Sequence, residues 1–137
     1  MNTGSANVMD NPKLLIVDDD QGIRTQLKWG IEGFDIITAN SRQKAIEQFE
    51  KHHPSVVTLD LGLPPDVEGT SEGFAILDAI LQRGADTKVV VVSGSEENIN
   101  SQKAKDNGAF DFYAKPVEIE SLQKLVNCAY KAHLKGK

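Results

Sequence analysis

Ser55 to Asp60 reads SVVTLD, and the chain runs on as LGLPPDVEGTSEGF to Phe74. The apolar and β-branched residues do not alternate with polar ones; they run together and stop at a carboxylate. A strand with one wet face alternates. A continuous run marks a strand covered on both faces, as in a parallel sheet lying between helices. The runs KLLIVDDD (13–20) and TKVVVVSG (87–94) have the same character, FDIITA (34–39) is related, and AFDFYAKP (109–116) is a shorter, more aromatic fifth.

Helical patterns fill the gaps. Between Gln21 and Gly33, residues Ile23, Leu27 and Ile31 are spaced to share one face, with Gly33 as the stop signal. Ser41 is placed to cap a helix whose buried face carries Ala45, Ile46 and Phe49. Phe74, Leu77, Ile80 and Leu81 mark a third helix. The segment from Ser95 to Asn107 is poor in apolar residues, with Ile99 and Ala104 nearly alone. The last helix runs from about Glu118 to Leu134, with Ile119, Leu122, Leu125, Val126 and Ala129 on one stripe. Strand and helix thus alternate five times, which predicts an α/β, doubly wound (βα)5 fold.

The chain has 137 residues, enough for one domain with a single core, and a formal net charge of −5. That charge argues against broad, unaided nucleic-acid binding. The single cysteine, Cys128, excludes an internal disulfide and reads as a small packing residue on the last helix. No apolar run is long enough to cross a bilayer. The polar stretch 1–12 lacks the apolar core of a signal peptide and reads as a flexible leader. The expected setting is cytoplasmic, with no membrane partner, and the expected domain is 13–135.

In open α/β sheets, sites form outside the carboxyl ends of the strands. Those ends carry Asp18-Asp19-Asp20, Asp60, Ser93-Gly94 and Lys115-Pro116. Clustered carboxylates repel and call for a cation, and an all-oxygen set at a solvent-facing rim suits Mg²⁺. His52 and His53 close the second helix, where they suit its C-terminal dipole better than a metal. A carboxylate beside a divalent ion can attack phosphorus. The incoming group then needs its oxygens neutralised by the ion, a lysine, and a hydroxyl or amide. Asp60, Lys115 and Ser93 fit those parts. Any one of them alone would read as an ordinary polar strand end.

LLIVDDD, VVTLDLGLP, VVVVSG and FYAKP, in this order and spacing, resemble the receiver domain of two-component response regulators. The resemblance spans roughly Lys13 to Leu134. It implies a flavodoxin-like sheet of order 2-1-3-4-5. It implies that Asp60 is the phosphoacceptor and that Asp18, Asp19, Asp60 and the carbonyl of Gly62 bind Mg²⁺, with Asp20 in a weaker metal role. Lys115 would pair with the acceptor and then the phosphoryl group, ahead of a cis Lys115-Pro116 bond. Ser93 and Phe112 would be the switch residues, although Phe112 also reads as plain core. The resemblance implies a signalling domain rather than a conventional enzyme. Its donor would be a sensor histidine kinase or a histidine phosphotransfer protein, docking near the first helix and the loop after Lys115. Ile23 and Gln26 are candidate contacts, with Trp29 either edging that surface or half-covered by its neighbours. A homodimer would use the fourth helix, fifth strand and fifth helix, and direct nucleic-acid binding is not implied.

The sequence departs from the usual pattern in one place. Gly69 or Gly73 can match the glycine that usually follows the acceptor loop, and Gly73-Phe74 precedes the helix better. Pro65 to Glu72 then carries an insertion of about four or five residues. With Leu27-Lys28-Trp29 and the D-F-Y before Lys115, this resembles NtrC-like enhancer-binding regulators of the PEP-CTERM system, whose ATPase and helix-turn-helix domains are not in this chain. The rival readings are a stand-alone regulator, a phosphorylation-independent interaction module, and an aspartyl-nucleophile phosphatase using Asp18. Gly62 and Ser95 occupy positions that tune attack by water in the family. Neither can act as a general base, so slow self-dephosphorylation is expected.

Overall fold

The computed structural model describes residues 11–66, 69–94 and 97–136. Its elements alternate as β1 (Lys13–Val17), α1 (Gln21–Gly30), β2 (Asp35–Ala39), α2 (Arg42–His52), β3 (Val56–Leu59), α3 (Ser71–Arg83), β4 (Lys88–Ser93), α4 (Glu97–Asp106), β5 (Asp111–Ala114) and α5 (Ile119–Lys135). All pairings are parallel, and the order is β2-β1-β3-β4-β5. The (βα)5 architecture and the 2-1-3-4-5 order are therefore as expected.

Alternate residues of the three central strands feed two cores. Leu15, Val17, Val57, Leu59, Val89 and Val91 pack with Ala45, Phe49, Ile76, Leu77, Ile80 and Ala104 from α2, α3 and α4. Leu14, Ile16, Val56, Val90 and Val92 pack with Leu27 of α1 and Leu122, Val126 and Ala129 of α5. Two covered faces are why these strands read as unbroken apolar runs. The edge strands β2 and β5 are only partly buried and read more mixed.

Several local expectations are corrected. Helix α1 stops at Gly30: the amide of Ile31 closes onto the Leu27 carbonyl at 2.9 Å, and Ile31 then turns extended and stays buried. Gly33 supplies a left-handed turn (φ 87°) beyond the cap rather than the cap itself. Cys128 is exposed, because the buried stripe of α5 follows Leu122, Val126, Ala129 and His133. Trp29 is 80% exposed, neither half-covered nor packed. Gly73 lies inside α3 rather than ahead of it, pressed so closely on the backbone of Leu61 that a Cβ would sit 2.4 Å from the Leu61 Cα. Ser41 caps α2 as expected, accepting from the Lys44 amide at 3.3 Å. His53 is the left-handed cap of α2, edge-on to Phe49. The 1–12 leader falls almost wholly outside the described residues, as does Ser95.

Candidate functional site

Register assembles the site. Val17 pairs with Leu59 in the sheet, and the chain extends the ladder by one bond, from the Asp60 amide to the Val17 carbonyl at 2.8 Å. Asp18 and Asp60 therefore leave adjacent strands side by side. On the far edge Ser93 pairs with Ala114, and the Lys115 amide bonds to the Ser93 carbonyl at 3.1 Å. From there the Lys115 side chain reaches back across the sheet. Its Nζ lies 3.1 Å from Asp18 Oδ2 and 3.6 Å from Asp60 Oδ1. The nearer partner is thus Asp18, not the expected acceptor.

Asp18, Asp19 and Asp60 each offer a carboxylate oxygen within 4.8 Å of the others, with Asp18 and Asp60 buried and Asp19 exposed. Burial, then the negative charge of Asp18, push the Asp60 carboxyl up to about 6 from an ordinary 3.8; Lys115 and the Gly62 amide, 3.4 Å from Oδ1, pull the other way. Three carboxylates thus face one ammonium, and the charge is under-compensated. This donor set, oxygen-only and open to solvent through Asp19, fits a hard divalent cation such as Mg²⁺. Gly62 stands two residues beyond Asp60 and meets it through its amide, and the cluster of acids consists of Asp18, Asp19 and Asp60.

The remaining expected residues divide by face. Ser93 is buried at the end of β4, at alternate spacing from Val91 and Val89 of the α2–α4 core. Phe112, partly buried on β5, packs against that same core. Asp20 stands apart from the three-acid cluster. Its Oδ1 accepts from the amides of Gly22 (2.7 Å) and Ile23 (3.2 Å), so it caps α1. Lys115-Pro116 is cis, as is Pro64-Pro65. Ile23 is half-buried, while Gln26 is exposed and donates to the Val117 carbonyl at 3.4 Å, linking α1 to the loop after Lys115.

The described residues of the insertion are tied to one another. The Asp66 carboxylate accepts from the Ser71 hydroxyl (2.6 Å) and, more weakly, the Ser71 amide (3.4 Å), and its carbonyl accepts from Gly69 (3.1 Å). Buried Glu72 pairs with Arg42 of α2 at 3.4 Å. Sequence reasoning missed Asp66, the Glu72–Arg42 pair, and Arg24, whose Nη1 donates to the Asp18 carbonyl at 2.8 Å. Arg24 carried a readable signal: a cation in the first turn of a helix opposes the helix dipole, so it asks for a local partner.

A family model described as response regulator receiver domain matches residues 14–127. The alkaline phosphatase synthesis transcriptional regulatory protein PhoP of Bacillus subtilis (strain 168) is 28% identical over 127 residues, covering 91% of this chain and 49% of the relative. Sporulation initiation phosphotransferase F of the same organism is 30% identical over 120 residues, covering 86% of this chain and 93% of the relative. The solved structure of NtrX from Brucella abortus in complex with ADP superposes with a TM-score of 0.82 at 28% identity, covering 93% of this chain and 29% of that one. The chain spans about half the length, or less, of the transcriptional regulators it matches.

Proposed function

The chain belongs to the response regulator receiver domain family of two-component systems, and from that premise we propose that Asp60 accepts a phosphoryl group from a histidine kinase or histidine phosphotransfer protein. The observation that carries this reading is the convergence of Asp18, Asp19 and Asp60 within 4.8 Å, with Lys115 beside them. An oxygen of Asp60 would bond to phosphorus as the donor's phosphorus–nitrogen bond breaks and the imidazole leaves. Asp18, Asp19, Asp60 and the Gly62 carbonyl would hold Mg²⁺, which supplies charge neutralisation for the phosphoryl oxygens. Lys115 would shift from Asp18 and Asp60 to the new phosphoryl group, and Ser93 would donate to it.

In this reading the switch runs through the face that Ser93 and Phe112 share. Phe112 packs against the α2–α4 core, on the sheet face that Ser93 also ends, so movement of Ser93 would reach β5 and α4. That α4-β5-α5 face is the proposed homodimer or output surface. Gln26 and the exposed Trp29 mark the proposed kinase side on α1, and domain bounds of 13–135 follow the same reading. A transcriptional output domain of the enhancer-binding kind belongs to this proposal. A second form is a regulator that works as a single domain, the reading to which sporulation initiation phosphotransferase F, matched over 93% of its own length, is the parallel.

Incubation with acetyl phosphate and Mg²⁺, followed by peptide mapping, tests the assignment. Label is expected on Asp60 and abolished by Asp60→Asn. Label on Asp18 would instead support the phosphatase reading, and no label with no beryllofluoride binding would support the phosphorylation-independent module. Loss of the label should be slow and several-fold faster in Gly62→Asn, since glycine offers no group to position water. Rapid loss from the wild type, unaltered in that variant, would count against it.

A further inference from the structure

We propose that Arg24 is a positioning residue for the acid cluster, fixing the peptide that joins Asp18 to Asp19. The inference rests on the reading of that cluster as a Mg²⁺ site.

Asp18 is held on every side. Its amide donates to the Ala39 carbonyl at 3.1 Å, completing the sheet. Its Oδ1 accepts from the Asp20 amide at 2.9 Å, and its Oδ2 faces Lys115 at 3.1 Å. Arg24 Nη1 takes the last group, the Asp18 carbonyl, at 2.8 Å. That carbonyl belongs to the peptide plane from which Asp19 departs, so its tilt sets where the exposed Asp19 carboxylate stands. Arg24 is itself anchored, because its amide bonds to the Asp20 carbonyl at 3.0 Å and Asp20 caps the same helix. The segment from Asp18 to Arg24 is a closed ring of hydrogen bonds with Asp19 at its open corner.

Helix electrostatics do not account for Arg24, since a cation in the first turn of α1 opposes the dipole. A simple charge role gives the opposite outcome from a positioning role. As a mere nearby cation, Arg24 would repel a divalent ion, and removing its charge would tighten binding. As a support for a ligand-bearing peptide, its loss should weaken binding even when the charge is kept. Arg24 also lines a polar surface groove with Thr38, Asn40, Lys44 and Gln48, so its truncation opens no cavity in either core.

The test is a Mg²⁺ titration of the whole chain, followed by amide shifts in nuclear magnetic resonance, on wild type, Arg24→Lys, Arg24→Gln and Lys44→Gln. Both Arg24 variants should bind Mg²⁺ about tenfold more weakly, while Lys44→Gln, on the same groove but without the carbonyl contact, keeps or slightly gains affinity. In metal-free protein, the Asp20 amide should exchange with solvent faster in both Arg24 variants. Wild-type affinity in Arg24→Lys, or equal or tighter binding by Arg24→Gln, overturns the proposal. Failure of the wild type to bind Mg²⁺ removes the underlying metal reading, whereas binding by the wild type with unchanged Arg24 variants removes the positioning role alone.

Discussion

Asp60 is in an uncomfortable state without a cation. Its folded-state value of about 6 stands above the ordinary 3.8, so the folded protein holds this proton more tightly than the unfolded chain does. The resulting stabilisation is fully present below about 3.8 and is lost as pH rises through about 6. Well above that value the ionised carboxylate is a burden, chiefly because it is buried beside Asp18. Asp60→Asn should therefore raise the melting temperature by a few degrees at about pH 8 in EDTA. The gap should shrink as pH falls below 6 and close near 4. A pH-independent difference in melting scans would contradict this cause. Thr58, two residues earlier, presents a different cost. Its hydroxyl oxygen is buried in β3 with no hydrogen-bond partner among the described residues, on a strand position between Ile16 and Val90. Thr58→Val keeps the shape and removes the stranded polar group, and should stabilise by about 1 kcal/mol in urea unfolding. A loss of stability would mean the hydroxyl has a partner after all.

At the scale of elements, close approach and backbone conformation can be separated by two glycines. Gly73 donates from its amide to the Leu61 carbonyl at 3.2 Å, and an added Cβ would meet Leu61 backbone. Gly33 has a left-handed φ of 87° with open space around it. Gly73→Ala should cost about 2–3 kcal/mol through displaced α3 packing, and should also weaken phosphoryl acceptance because Leu61 joins Asp60 to Gly62. Gly33→Ala should cost about 1 kcal/mol and leave acceptance unchanged. Parallel denaturation and acetyl phosphate labelling would separate the two. The strands and their order of use were legible because parallel strands covered on both faces leave unbroken apolar runs. The acids and Lys115 were legible because each ends a run. What the sequence concealed depended on contacts rather than composition. Cys128 looks like a packing residue until the helix phase is known, Ile31 stays apolar while leaving its helix, and Asp20 is spent on a cap that no pattern of acids distinguishes from a ligand.

Across the whole molecule, the proposed function separates two roles, with the charged cluster for the chemistry and the exposed ring of Trp29 for recognition of a protein donor. Small phosphodonors need only the rim. A protein donor must also find a surface, and α1 offers Gln26 and an indole that is 80% exposed. Trp29→Ala should leave acetyl phosphate labelling unchanged while slowing transfer from a cognate kinase by about tenfold or more, as truncation of an exposed aromatic anchor does. Equal slowing with both donors would assign Trp29 to folding or to the acid site instead.

The turn held by Asp66 has a practical corollary for how this chain tolerates change. Its carboxylate fastens the start of α3 through Ser71, and Glu72 moors the same helix to Arg42. Asp66 and the start of α3 are thereby tied to each other and to α2. Lengthening a loop with anchored ends is cheap, about 0.6 kcal/mol for each doubling. A peptide tag or a fluorescent reporter spliced in between Asp66 and Ser71 is therefore expected to leave the acids at the rim in their places, with acetyl phosphate labelling retained.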